Sequence, residues 1–434
     1  MGRLAARGLS DGPRAPRDRH NNRTPLRGAP AMRWRDERRR PYLVATMEFH
    51  ERPIFPRGFR TASRNCGLKP AAKDLALFVS DVDASAAAVF TRNHFPGAPV
   101  ILGRETMRAG RLRAIVANSK VSNVATGASG LEAARRMASA AAAEVGTTPE
   151  LVLVSSTGVI GAPLPIEKIE HGLRGMAAEL QSDPLVGAEG LMTTDTHPKA
   201  LSLGTEGVTI TWVAKGSGMI EPNMATMLVY IFTDAEIDSR QLAESLRDAV
   251  HESFNMLSVD SDTSTSDTCA ILANGRAGPV GAVAFRDALA AGCVRMTEIL
   301  ARDGEGATRL LRASVRGARS PGEARQVAKS LINSPLVKTM VHGADPNVGR
   351  VLMAIGKCFE CTIHPDATSV WINGAQVVRD GQRVDFDEAV VRAALATDTV
   401  DIEVALGVGD ARATAYGCDL TGGYIDENAS YYSS

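Results

Sequence analysis

The chain has 434 residues, 44% of them hydrophobic and 23% charged, with 49 basic against 49 acidic side chains. That length exceeds one ordinary domain and suits two lobes or one large sandwich. The balanced charge argues against a whole-protein nucleic-acid or membrane-surface binder, and no apolar run approaches the ~18 residues of a membrane span.

Residues 1–46 hide an asymmetry within that balance: twelve arginines and no lysine face only Asp11, Asp18, Asp36 and Glu37. A segment so charged and so poor in apolar residues cannot bury enough surface to offset its ordering entropy, and disorder is expected. It lacks the apolar stretch of a secretory signal. It reads as an upstream translation start, with Met47 as the natural initiator of a cytoplasmic protein. Its acids and prolines weaken the alternative of a mitochondrial targeting segment. The remaining chain alternates short apolar runs with helical spacing. Strands are expected at Leu75–Ser80, Arg113–Asn118 and Leu151–Ser155, helices at Leu131–Val145 and Ile166–Leu180, and a buried strand at Thr226–Thr233. Leu242, Leu246, Val250 and Phe254 then recur every four residues behind Asp238, with Gln241 at the capping-box position. Phe285, Leu289, Cys293, Met296 and Leu300 mark another amphipathic helix, and Val370–Asn373, Asp401–Ala405 and Arg412–Ala415 read as strands. The mixture predicts an α/β (α+β) layered sandwich, helices covering central sheets, with a smaller C-terminal lobe.

Familiar chemical signatures fail on inspection. No GxxxxGK, HExxH or GxSxG occurs, and Gly407-Val-Gly409 has Arg412 where a third glycine belongs. The calcium-like start at Asp260-Ser-Asp262 has Ile271 at its twelfth position instead of Glu. Cys358-Phe-Glu-Cys361 is a lone CxxC without a second ligand pair, and the six cysteines form no disulfide framework, so no metal site is expected.

The unusual stretch is Ala214-Lys-Gly-Ser-Gly-Met-Ile-Glu-Pro-Asn-Met-Ala-Thr-Met-Leu228. A threonine heading a buried strand is ordinarily a β-former and nothing more. Here it follows a glycine-broken loop and a small residue. In that setting the hydroxyl of Thr226 can attack the carbonyl of Ala225, convert the peptide to an ester and let water cut it. The freed α-amine, with a reference pKa of ~7.7–8.0, then stands next to its own nucleophilic oxygen as general base. Ser156-Thr-Gly158 ends an apolar run, where N–H groups and a hydroxyl can converge on one spot.

With these residues the sequence resembles the ornithine acetyltransferase family, the bifunctional glutamate N-acetyltransferases of arginine biosynthesis. The likeness covers nearly all of the chain from about residue 56. It is carried by Asp74-Leu-Ala-Leu77, Val89-Phe-Thr91, Ser156-Thr-Gly-Val-Ile-Gly161, Met192-Thr-Thr-Asp-Thr196, Lys215 to Leu228, Val259-Asp-Ser-Asp-Thr-Ser-Thr265, Asp303-Gly-Glu-Gly-Ala-Thr308, Ser334-Pro-Leu-Val-Lys-Thr339, Asp345-Pro-Asn347 and Gly417-Cys-Asp-Leu-Thr421. The resemblance implies self-cleavage at Ala225–Thr226 into an α part (47–225) and a β part (226–434). It implies ping-pong transfer of acetyl from N-acetylornithine to glutamate through acetyl-Thr226. It places the oxyanion pair on Thr157 and Gly158, and substrate contacts on Thr193, Lys215, Thr226, Glu305, Asn428 and Ser433. Lys215 suits a carboxylate and Glu305 an ammonium, the two charges of an amino acid. The expected partners are amino-acid substrates, the two fragments for each other, and a dimer of such heterodimers. No cofactor is expected, with acetyl-CoA open as a further acetyl donor.

The chain also departs from the family. Asn118-Ser-Lys-Val-Ser-Asn123 stands where Asn-Ser-Gly-Asn-Ala-Asn is usual, Ser261 where Gly is usual, Ser266 where Asn is usual and Val348 where Trp is usual. These changes leave open a paralogue acting on another amino acid, a self-processing hydrolase or amidase with water as acceptor, and a non-catalytic amino-acid-binding protein.

Overall fold

A computed structural model of the chain describes residues 47–221 and 227–429. Its first sheet contains β1 (Glu48–Phe49), β2 (Phe59–Arg64), β3 (Leu75–Phe90), β4 (Arg111–Asn118), β5 (Val152–Ser156), β6 (Lys199–Thr205), β7 (Val208–Lys215), β8 (Leu228–Glu236) and β9 (Thr268–Pro279). Their spatial order is β1-β6-β7-β8-β9-β3-β4-β5, with β2 beside β3. The second sheet contains β10 (Leu310–Ala318), β11 (Ser369–Ile372), β12 (Ala375–Arg379), β13 (Gln382–Arg383), β14 (Thr399–Ala405) and β15 (Ala411–Cys418), ordered β13-β12-β11-β14-β10-β15.

β8 explains why the middle of the first sheet reads as one unbroken apolar run. It pairs antiparallel with β7 and parallel with β9 and is buried on both faces. Val229 and Ile231 enter one core, while Tyr230 and Phe232 enter another with Phe59 and Phe78. The helix Ala282–Arg302 touches β6 and β7 of the first sheet and β10 and β15 of the second. Its Gly292 permits that approach: a Cβ there would lie 2.1 Å from the Trp212 indole. The two sheets thereby share one apolar cluster running from Trp212 and Ile231 to Val315 and Val404, and the C-terminal sheet is the smaller layer of the sandwich.

The predicted helix after Asp238 spans Ser239–Glu252, and the Asp238 carboxylate caps it by accepting from Arg240 and Gln241 N–H. The predicted helix Ile166–Leu180 stops at Leu173 and resumes as a 3₁₀ turn, Met176–Glu179, because Gly175 between them takes φ +73°. Among the described residues no helix is long and apolar enough to cross a membrane.

Candidate active site

β7 ends at Lys215 and β8 begins opposite it, Lys215 pairing with Leu228. Lys215 Nζ lies 3.4 Å from the hydroxyl of Thr157, the residue after β5, so three strand ends converge. Two aspartates clamp the outgoing backbone. Asp195 accepts from Gly216 N–H at 2.7 Å, and Asp260 accepts from Met219 and Ile220 N–H at 2.6 and 2.8 Å. Glu221 is fastened by its N–H to Asp262 O (3.0 Å) and by its carboxylate to Lys329 (3.2 Å) and Asn333 (2.8 Å). On the returning side, Met227 O accepts from Thr268 N–H at 3.0 Å. Ala225 and Thr226 lie outside the described residues, as does Ser433.

A cavity of about 100 Å³ opens at this convergence, lined among others by Thr157, Gly158, Thr193, Lys215, Glu305 and Asn428. Six residues singled out from the sequence are thus brought to one pocket. Met227, the neighbour of Thr226 in the chain, lines it too.

Of the expected oxyanion pair, Thr157 offers one donor, its hydroxyl. Thr157 N–H is committed to Asn118 O at 3.0 Å, so the backbone of Thr157 is unavailable. Its hydroxyl is available: Lys215 Nζ lies 3.4 Å from Oγ1 and can only donate, which leaves the hydroxyl proton for another acceptor. Gly158 stands at φ +128°, and a Cβ there would fall 2.2 Å from the Lys120 carbonyl carbon. Glycine is therefore required by conformation and by space together. Lys120 and Ser261 stand where glycine is usual in the family that the sequence resembles. Both residues take the left-handed conformation that the usual glycine favours, φ +84° and +65°, and Val159 N–H still bonds Lys120 O at 2.9 Å.

Charge in the pocket is arranged in layers. Lys215 is buried, and burial lowers its pKa against the pull of Asp195, Asp267 and Glu305. Behind it lies a buried chain: Lys199 Nζ contacts Asp195 and Asp303, each at 2.5 Å, and Asp303 also accepts from Thr196 N–H at 3.1 Å and from the Thr196 hydroxyl. Burial would raise the Asp195 carboxyl, but Lys199, Lys215 and the Gly216 N–H outweigh it and hold it below the ordinary range. Asp195 also accepts from Thr193 N–H at 2.9 Å, so one carboxylate fixes the backbone at both Thr193 and Gly216. At the mouth, Glu305 accepts from the Thr194 hydroxyl on Oε1 and from Asn428 Nδ2 on Oε2, both at 2.7 Å. Gly218 lies directly against it, a Cβ there meeting the Glu305 carboxylate at 2.2 Å. Each Glu305 oxygen retains lone pairs for a cation.

Asp195, Lys199, Asp303, Thr194, Asp260 and Asp267 belong to this site without having been expected there from the sequence; Asp260 had been weighed only as the start of a calcium loop. Asp195, Thr194, Asp260 and Asp303 stand inside the quoted motifs. Lys199 and Asp267 stand just outside them, where only the fold reveals their role.

The matching family model is that of the ArgJ family, over residues 60–433. The "arginine biosynthesis bifunctional protein ArgJ" of Rhodococcoides fascians is 44% identical over 379 residues, covering 87% of this chain and 94% of its own. "Glutamate N-acetyltransferase Oat2" of Streptomyces clavuligerus is 41% identical over 388 residues, covering 87% and 98%. Among solved structures, ornithine acetyltransferase complexed with ornithine from Mycobacterium tuberculosis is similar at 36% identity and a TM-score of 0.39, covering 42% of this chain and all of that chain.

Proposed function

This chain belongs to the ArgJ family, and we propose on that premise that it moves an acetyl group from N-acetylornithine to glutamate in arginine biosynthesis, after cutting itself between Ala225 and Thr226. The observation that carries the reading is the pocket that gathers the Thr157 hydroxyl, Gly158, the buried Lys215 and Glu305 beside Met227. The relative at 41% identity, a glutamate N-acetyltransferase, supports the acceptor.

In this reading the Thr226 α-amine takes the hydroxyl proton, and the oxygen attacks the acetyl carbonyl carbon. The Thr157 hydroxyl and Gly158 N–H receive the developing oxyanion, where one such donor is worth about 3–4 kcal/mol. The C–N bond then breaks, and the acetyl ester of Thr226 awaits the second amino acid. Lys215 holds the substrate carboxylate. Glu305, set by Thr194 and Asn428, holds an ammonium, and Thr193 and Ser433 complete the contacts. All six cysteines are free thiols, which fits a reducing, cytoplasmic compartment.

The test is a transfer assay with labelled N-acetylornithine, run with glutamate and with water alone, and repeated with acetyl-CoA as donor. Label on glutamate, and an acetylated 226–434 fragment in the absence of glutamate, are expected. Free acetate as the sole product would make the protein a hydrolase, and an acetyl-free fragment at every quench time would remove Thr226 as the nucleophile.

A further inference from the structure

Among the described residues, the pocket holds one ionisable group that this transfer leaves unused. Asp267, in the turn before β9, is 2% exposed and lines the same cavity as Thr157, Gly158 and Lys215. Among the described residues its Oδ2 has no hydrogen-bond partner. A buried carboxyl oxygen without a partner is costly and calls for a ligand or a chemical role. The charged group facing it is Lys215, from β7; Ser264 and Thr91, from the preceding turn and the end of β3, face it with uncharged hydroxyls. Glu305 faces Lys215 in turn. Burial pushes the Asp267 carboxyl well above its ordinary value, more than Ser264, Lys215 and Thr91 pull it down.

Transfer between amino acids has a proton to account for. An amino acid leaves and enters the site as an ammonium, yet only the neutral amine attacks an ester. The exchange between the Thr226 hydroxyl and its α-amine supplies one proton to the departing nitrogen, and an ammonium needs two. We infer that Asp267 stores the second proton, giving it to the departing amine as a carboxylic acid and taking one back, as a carboxylate, from the α-ammonium of the incoming amino acid. In the first half-reaction the oxygen–acetyl bond forms and the C–N bond breaks. The nitrogen gains the hydroxyl proton by way of the α-amine and a further proton from Asp267. In the second, the ammonium gives one proton to the Asp267 carboxylate and the amine attacks the ester. The remaining surplus proton returns to the Thr226 oxygen as the ester C–O bond breaks. The cycle closes with Asp267 protonated again and no net proton consumed. An anionic Asp267 exists only while the acetyl group is on the enzyme, and Lys215 faces it then.

The inference rests on the transfer reading, and the experiment separates the two. Wild type and Asp267→Asn are acetylated with p-nitrophenyl acetate, whose leaving group needs no proton. They are then discharged with glutamate or with hydroxylamine, an amine already neutral at neutral pH. The variant should react with hydroxylamine like wild type. With glutamate it should be slower by about 10²-fold or more, the usual yield of general acid–base catalysis, and should recover as pH rises and the free amine becomes abundant. Asp267→Glu should restore part of the rate. Equal glutamate discharge by wild type and Asp267→Asn at neutral pH overturns the inference alone. A wild type that N-acetylornithine never acetylates overturns the transfer reading itself. If Asp267→Asn does not fold, the wild type still decides. Glutamate discharge that climbs with pH in strict proportion to the free-amine fraction means that no enzyme group removes the proton.

Discussion

Asp195 and Asp267 are buried carboxyls that both feel Lys215, yet they depart from the ordinary 3.8 in opposite directions. Asp195 accepts N–H bonds and touches Lys199, so the charged form gains more from the fold than burial takes away. Asp267 has burial as its dominant influence and one oxygen unpartnered. The stability consequences follow from linkage. Asp195 binds fewer protons folded than unfolded. Its contribution is present above the unfolded value and lost as pH falls through the folded one. Asp267 binds more protons folded than unfolded, so its contribution is complete below the unfolded value and fades as pH rises toward the folded one. In urea titrations across pH, Asp195→Asn should flatten the acid limb and cost on the order of 3 kcal/mol at neutral pH, because Lys199 loses one of two buried partners. Asp267→Asn should instead remove a decline on the ascending-pH side. Parallel pH profiles for wild type and both variants would show that neither carboxyl is coupled to folding.

At the level of elements, the sheet–helix contact that backs the site turns on the absence of a side chain. Gly292 lets the helix Ala282–Arg302 lie on the Trp212 indole of β7, the strand that ends at Lys215. Gly292→Ala should destabilise by about 1–3 kcal/mol through overpacking. Trp212→Phe should recover part of that loss in a double-mutant cycle; additive effects would place the strain elsewhere. Elements of this kind were largely legible in the sequence. β8 is a continuous apolar run, and the helices Ser239–Glu252 and Ala282–Arg302 carry apolar residues at three- and four-residue spacing. β3 was legible only in its first third. Its pattern breaks at the exposed Asp81 and Asp83, where the pairing with β4 shifts register between Val79 and Ala84, so a 16-residue strand reads as a short one. The site divides the same way. Thr157, Gly158, Lys215, Glu305 and Asn428 stand within a recognisable pattern or were carried by the resemblance, and the fold gathers them. Asp195 and Asp303 stand in recognisable motifs, but nothing local links them through Lys199, since 107 positions separate Thr196 from Asp303 and only the fold joins them. Asp267 sits in a run of small polar residues that looks like any turn. Its distinction is burial, which one sequence does not display.

For the whole molecule, the position of the proposed cut within the strand order matters more than its position in the chain. The residues before it supply β1 to β7, and those after it supply β8 to β15. In space β8 and β9 lie between β7 on one side and β3 on the other, joined by six antiparallel residue pairs at each seam. The two pieces are therefore interleaved inside one sheet and do not abut along a surface. They should remain together through native chromatography and part only in denaturant. The same arrangement changes the molecularity of folding. Uncut, the chain closes its sheet by a first-order process; cut, it must recover two seams by collision of two chains. After dilution from urea, the refolding rate of uncut Thr226→Ala should be independent of protein concentration, whereas that of the cleaved protein should rise with concentration and its yield should fall on dilution. Equal concentration-independent rates would mean that the pieces never separated. The proposed cut, placed in the centre of a sheet, would thus set an order of events: the chain would fold once as a single molecule, be cut afterwards, and from then on persist for as long as the sheet is slow to open.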